Sequence, residues 1–138
     1  MTVSELPDFM PGLDTHLGMR IESGSPDRVV LRWRVRPELC QPFGVVHGGT
    51  YCSAVEAAAS IGAALWFRPR GRVVGVSNQT DFYRAVRTGE LTAEALPVHR
   101  GRSQQVWRVR VSDEQDRLVA EGQVRLQNLD DPERGPGH

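Results

Sequence analysis

Apolar and polar residues alternate along much of this chain. From Val29 to Arg36, apolar side chains at every second position are separated mainly by arginines, which is the period of a strand with one buried and one exposed face. Similar stretches follow, and short turn-prone links between the later ones favour antiparallel pairing. The sequence therefore predicts about five strands, at Val29–Arg36, Val73–Tyr83, Leu91–Val98, Gln105–Val111 and Leu118–Leu126.

One segment has a different pattern. The residues from Gly49 to Phe67 are rich in alanine, contain no proline and carry one charge, Glu56, which predicts a helix of about five turns. Its length approaches that of a membrane span, but the central carboxylate favours a helix buried in a globular fold. A helix that is apolar on all sides must be surrounded by protein. We therefore predict an α+β domain, the hotdog fold, in which an antiparallel sheet wraps around this helix.

Length and composition narrow the possible classes of protein. The 138 residues fit a single domain, with polar ends at about residues 1–12 and 128–138 that we expect to be flexible. The 17 basic residues, all arginine, balance 17 acidic residues, which argues against binding to nucleic acid or membranes. Two cysteines without a Cys-x-x-Cys pair, and no basic-then-apolar leader, predict a cytoplasmic protein without a metal site.

Glu56 requires an explanation, because burying an unpaired carboxylate is costly. It could pair with one of the many arginines, reach solvent through a gap in the sheet, or act in catalysis. Ser60 lies one turn later on the same helical face. Its hydroxyl could orient the carboxylate, or bond back to the helix backbone.

Gly48 and Gly49 stand where the predicted helix begins. Unpaired backbone N–H groups at this positive end suit an oxyanion, although a Gly-Gly pair fits a tight turn equally well. Gly48 and Glu56 are eight residues apart, or about 12 Å along a helix axis, so they cannot both touch one reacting carbonyl. If they serve one active site, two chains must build it, and the sequence then predicts a catalytic homodimer.

Several motifs together resemble the pattern of hotdog acyl-CoA thioesterases. They are Gln41, His47-Gly48-Gly49, Glu56, Asn78-x-Thr80-Asp81-Phe82 and His99-Arg100-Gly101-Arg102. The families most similar are the phenylacetate-pathway (PaaI-like) thioesterases and the glutamate-type 4-hydroxybenzoyl-CoA thioesterases. The resemblance extends from about residue 31 to residue 126, and the joint spacing of the first three motifs is its most specific part.

The resemblance implies a role for each of these residues. Gly48 would supply the oxyanion N–H, and Glu56 of the partner subunit would be the nucleophile or the general base for water. Gln41 would position the thioester or the water, His47 would brace the loop, and Ser60 matches a hydroxyl near the carboxylate. Many phenylacetate-type relatives carry Asp in place of Glu56, which leaves both modes of attack open.

The resemblance also implies an acyl-CoA substrate, with no metal or organic cofactor beyond the coenzyme A that the substrate carries. Coenzyme A brings phosphates that need arginine, serine or threonine donors. The candidate substrate-binding residues are Gly49, Asn78, Arg84, Arg100, Arg102 and Ser103.

Two other functions stay open at this point. One is a non-catalytic acyl-CoA-binding module, and the other is a hotdog acyl hydratase or dehydratase, whose differently spaced histidine and acidic residues are not found here. For the hydrolase we expect a dimer as the minimal active unit, and assembly into a tetramer.

Overall fold

The computed structural model describes residues 12–132, which form a six-stranded antiparallel sheet and one long helix. The strand order is β1-β2-β4-β5-β6-β3. In chain order the elements are α1 Leu13–His16, β1 Arg20–Ser25, β2 Arg28–Arg34, a 3-10 turn Pro37–Leu39, α2 Gly48–Phe67, β3 Gly71–Phe82, β4 Glu90–Arg100, β5 Gln104–Ser112 and β6 Leu118–Asp130.

Helix α2 lies in the concave face of the sheet and contacts all six strands. Its alanines and glycines let the strands approach closely. At Gly62, in the buried part of the helix, an added Cβ would lie 2.5 Å from Cζ3 of the fully buried Trp107. The predicted α+β architecture, with an antiparallel sheet wrapped around one helix, is confirmed.

One stripe of α2 is not covered, although the helix was expected to be surrounded on all sides. Glu56 is exposed, and Ser53, Ser60 and Ala64 are half-buried. These residues lie three or four positions apart and so share one face. Among residues 12–132, no helix is long and apolar enough to cross a membrane.

Strand β1 was not predicted, so the sheet has six strands rather than five. Its sequence, Arg20–Ser25, contains one large apolar residue, Ile21, and therefore lacks the alternation that marks the other strands. It is an edge strand that pairs with β2 through main-chain hydrogen bonds. Backbone pairing does not depend on side-chain pattern, which explains why the pattern missed it.

Strand β6 extends to Asp130, beyond the predicted end at Leu126. Asn128, which was placed at the start of a flexible tail, is instead buried within this strand. Its side chain accepts a hydrogen bond from Gln105 and donates two to backbone carbonyls, so its polarity is satisfied inside the protein. Leu129 and Asp130, also predicted to be flexible, complete the same strand, whereas Gly12, Asp131 and Pro132 lie outside helices and strands. The other residues of the predicted flexible ends, 1–11 and 133–138, lie outside the described part.

Replacing Gly62 by alanine should destabilise the fold. Overpacking against a rigid indole costs about 1–3 kcal/mol, whereas alanine gains about 1 kcal/mol over glycine in a helix. The unfolding free energy from urea titration should therefore fall, by up to about 2 kcal/mol. The same substitution in a Trp107→Phe background, which removes the clashing atoms, should be neutral or stabilising; an equal loss in both backgrounds would contradict this packing account.

Candidate active site

A cavity of about 730 Å³ runs beside the uncovered stripe of α2. Helix α1, helix α2 and residues of β3 between Gly71 and Asn78 form its walls. The lining combines apolar and polar side chains, among them Ala57, Ile61, Val73, Glu56, Ser60 and Asn78. The cavity thus brings together three of the predicted site residues, Glu56, Ser60 and Asn78.

Glu56 is held by a chain of hydrogen bonds from β3. The Thr80 hydroxyl donates to Oδ1 of Asn78 at 2.7 Å, and Nδ2 of Asn78 donates to Oε1 of Glu56 at 3.3 Å and to the Cys52 carbonyl at 3.0 Å. Because its oxygen accepts from Thr80, the amide of Asn78 turns its N–H groups toward the carboxylate. Asn78, predicted to bind substrate, therefore lies against Glu56, and Thr80, which had no predicted role, orients it.

Gly75 makes room for the carboxylate. A Cβ at this position would lie 3.0 Å from Oε2 of Glu56, so a side chain here would press on the carboxylate. The pairing of β3 with β6 is irregular between Gly75 and Ser77, as at a β-bulge, which re-aims nearby side chains. Strand β3 thus supplies both the space and the hydrogen bond that place Glu56.

The alternatives for Glu56 and Ser60 can now be compared. Within the described residues, Glu56 forms no ion pair with an arginine, and its side chain lines the cavity. Ser60 lines the same cavity one turn later, and its hydroxyl has no hydrogen-bond partner in residues 12–132. The carboxylate and the hydroxyl are both available to a molecule in the cavity.

Asp14 places a second carboxylate in this cavity. Burial raises its pKa, and the charge of Glu56 raises it further. The sequence did not reveal this residue, because its position depends on where α1 docks. Arg36 anchors that helix by donating from its guanidinium to the carbonyls of His16 at 2.8 Å and Leu17 at 3.2 Å.

The N-terminus of α2 offers one open N–H group. Nδ1 of His47 accepts a hydrogen bond from the N–H of Gly49 at 2.8 Å, so His47 caps the helix. The N–H of Gly48 has no acceptor in the described part of the chain. The geometry therefore favours Gly48, rather than Gly49, as an oxyanion donor.

Gln41 lies in the loop that precedes this helix. Its Oε1 accepts from the N–H of Phe43 at 2.7 Å, which leaves its amide N–H groups without an acceptor among residues 12–132. Gly48 and Glu56 both belong to α2, about 12 Å apart along its axis. One chain therefore does not bring Gln41, His47 and Gly48 to Glu56.

The predicted coenzyme A contacts separate into groups. Arg100 is engaged by Asp27 at 2.9 Å and by the Pro26 carbonyl at 2.8 Å. Arg102 and Ser103 are exposed in the turn between β4 and β5. Arg84 follows β3, whose last residue, Phe82, contacts the start of α2. Arg84 and the 102–103 turn thus lie at opposite ends of α2 within one chain.

Comparison with known proteins shows the family. Residues 43–120 match the Thioesterase superfamily. This chain belongs to the thioesterase superfamily. A curated relative, 1,4-dihydroxy-2-naphthoyl-CoA hydrolase of Listeria monocytogenes, is 35% identical over 108 residues, covering 78% of this chain and 88% of that protein.

Solved structures share the fold of this thioesterase. A Mycobacterium tuberculosis protein provisionally named an esterase has 48% identity and a TM-score of 0.84, covering 86% of this chain and 96% of its own. A Haemophilus influenzae thioesterase has 28% identity and a TM-score of 0.89, covering 100% of this chain and 95% of its own. The hotdog fold, the resemblance to hotdog thioesterases and the enzyme class, a thioester hydrolase, are confirmed. The PaaI-like subtype stays a prediction.

Replacing Asp14 by asparagine should stabilise this thioesterase at neutral pH. The pKa of Asp14 is raised in the folded state, so folding favours the protonated carboxyl. The resulting contribution to stability is fully present below the ordinary pKa of 3.8 and is lost as pH rises through the folded pKa. The variant should have a higher urea midpoint than the parent at pH 7 and an equal one at about pH 3. A urea midpoint at pH 7 no higher than that of the parent would contradict the raised pKa of Asp14. Asp81→Asn, at an exposed site, is the control.

Proposed function

We propose that this thioesterase hydrolyses the thioester of an acyl- or aroyl-coenzyme A to the free acid and coenzyme A. The observation that carries the proposal is Glu56, an accessible carboxylate in a large cavity that is oriented by Asn78. It lies one helical turn from the hydroxyl of Ser60, which has no hydrogen-bond partner among residues 12–132. A carboxylate and a hydroxyl so arranged can activate or position a water molecule. The thioester carbonyl then needs a donor for its developing negative charge.

That donor is Gly48 of a partner subunit. The open N–H of Gly48 is too far along α2 to serve Glu56 of its own chain. Strand β3 is an edge strand beside the cavity, and its Val74 and Val76 are 47% and 50% exposed. A second copy docked along this edge would cover apolar surface and unpaired backbone groups, and an isologous arrangement would create two equivalent sites.

The proposed reaction proceeds in one of two ways. As a nucleophile, Glu56 attacks the carbonyl carbon, the C–S bond breaks, and the coenzyme A thiolate takes a proton from a water molecule. The hydroxide so formed hydrolyses the anhydride to the free acid and restores the Glu56 carboxylate. As a general base, Glu56 takes a proton from a water held by Ser60, the hydroxide attacks, and the proton passes to the departing thiolate. In both, the N–H of the partner's Gly48 stabilises the oxyanion, and the side-chain amide of the partner's Gln41 positions the thioester or the water.

An aromatic acyl group is the favoured substrate class. The relative from Listeria monocytogenes carries the name of a hydrolase of a naphthoyl-CoA thioester. The cavity beside Glu56 is large enough for a ring system and has apolar walls that include Ala57, Ile61 and Val73. Thiol release from a panel of short, medium, long and aromatic acyl-CoAs tests this choice.

Replacing Glu56 by alanine should lower kcat for the best acyl-CoA by about 10²–10⁴, the usual loss for a catalytic acid or base. The thermal unfolding midpoint should not fall and the oligomeric state should not change, because the side chain is exposed. Thiol release measured by a colorimetric reagent checks the rate. Glu121→Ala, on strand β6 away from the cavity, is the matched control. Near-parental turnover by Glu56→Ala would remove Glu56 from this role.

A mixing experiment tests whether one site uses two chains. One chain carries Glu56→Ala. The other carries Gly48→Pro with Phe82→Ala, since proline lacks the N–H and the smaller residue makes room for its ring. Random assembly of the two inactive chains should restore about a quarter of parental activity, because half the dimers are mixed and each has one intact site.

Gly48→Ala with Phe82→Ala is the control for this experiment, since it adds a Cβ but keeps the N–H. Recovery of activity on mixing requires that Glu56 and Gly48 come from different chains. If mixing restores nothing while gel filtration shows mixed dimers, the two residues do not form a site across an interface.

A further inference from the structure

Asn128 controls the conformation of the turn between β4 and β5. Its Nδ2 donates to the carbonyls of Gly101 at 3.0 Å and Arg102 at 3.2 Å, and its backbone N–H donates to the carbonyl of Ser103 at 2.8 Å. All three carbonyls of this turn are therefore drawn toward one residue. Asn128 is itself buried, with 6% of its surface exposed.

Gln105 connects Asn128 to the core. This fully buried side chain donates to Oδ1 of Asn128 at 2.8 Å and to the carbonyl of Ala63, in α2, at 3.2 Å. Its Oε1 accepts from the indole N–H of Trp107 at 2.8 Å. A fully satisfied network of buried polar groups is rigid, and this one fixes which way the amide of Asn128 faces. Helix α2, the sheet and the turn are thereby joined.

The opposite side of the turn is left with donors. In a planar trans peptide the carbonyl and the N–H point in opposite directions, so drawing in the carbonyls of Gly101 and Arg102 turns the N–H groups of Arg102 and Ser103 outward. Neither N–H has an acceptor in residues 12–132. The side chains of Arg102 and Ser103 are exposed beside them. Successive outward N–H groups form a nest that binds anions.

We propose that Asn128 and Gln105 are positioning residues that hold the 101–103 turn as a binding site for a phosphate group of coenzyme A. The inference rests on the proposed function, which supplies the ligand. It assigns the binding to the backbone N–H groups of Arg102 and Ser103 together with their side chains. The proposal does not include Arg100, whose guanidinium already donates to Asp27 and to the Pro26 carbonyl.

Binding to the intact protein tests the inference without requiring turnover. Calorimetry would compare coenzyme A, 3′-dephospho-coenzyme A and pantetheine, which carries no phosphate. Asn128→Ala should weaken the binding of coenzyme A by about tenfold, the usual effect of losing charge-assisted hydrogen bonds. The affinity for pantetheine should not change. Gln127→Ala, the neighbour on β6 that does not reach the turn carbonyls, should bind like the parent.

The three ligands distinguish the phosphates. Loss confined to coenzyme A identifies the 3′-phosphate, whereas equal loss for coenzyme A and its dephospho form identifies the pyrophosphate; both support the proposal. Equal weakening of all three ligands, or of none, overturns it. With the preferred acyl-CoA, KM should rise while kcat stays within about twofold.

A second pair of variants covers the case in which Asn128→Ala does not fold. Ser103→Pro removes one outward N–H, and Ser103→Ala removes only the hydroxyl. Ser103→Pro should weaken the binding of coenzyme A more than Ser103→Ala does. Equal binding by the two variants overturns the role of the backbone N–H. If the parent binds coenzyme A through this turn but hydrolyses no thioester, the proposed function fails and this inference stands.

Discussion

Close packing between α2 and the sheet is the constraint on which the rest of the structure depends. A helix can lie inside a curved sheet only if its side chains are small, and the contact of Gly62 with Trp107 shows how little space is left. This packing fixes the helix along its whole length. The helix then sets the positions of the two groups with most chemical interest, the N–H of Gly48 at its start and the carboxylate of Glu56 two turns later.

The one uncovered stripe of α2 gives the enzyme its cavity. Glu56 and Ser60 share this stripe, and β3 provides the groups that orient the carboxylate. Thr80 and Asn78 lie on a strand, where backbone geometry is rigid, so the carboxylate is held by a defined hydrogen bond rather than by a mobile loop. The separation of Gly48 from Glu56 on one rigid helix is the physical basis for the proposal that the active site lies between two chains.

Buried amides have a second organising role at the other end of the helix. Gln105 and Asn128 link α2 to the turn that carries Arg102 and Ser103. From the sequence alone these residues would be predicted to lie on the surface, since glutamine and asparagine are mostly exposed in proteins. Only partners from three distant parts of the chain satisfy them inside the core.

The sequence alone determined the central helix and five of the six strands, because each depends on local periodicity. It also singled out Glu56, Gly48 and Ser60 as candidate site residues, from their spacing within one helix. It missed β1, which pairs through its backbone, and it placed Asn128 in a tail because hydrogen-bond partners far along the chain leave no local pattern. The sequence also did not indicate that Asp14 lines the cavity, because this depends on where α1 packs against α2. The tertiary structure alone decided that Asn78 holds Glu56, that His47 occupies the N–H of Gly49, and that Arg100 is engaged by Asp27. Each of these contacts joins different structural elements or depends on side-chain direction, and packing rather than sequence spacing sets both.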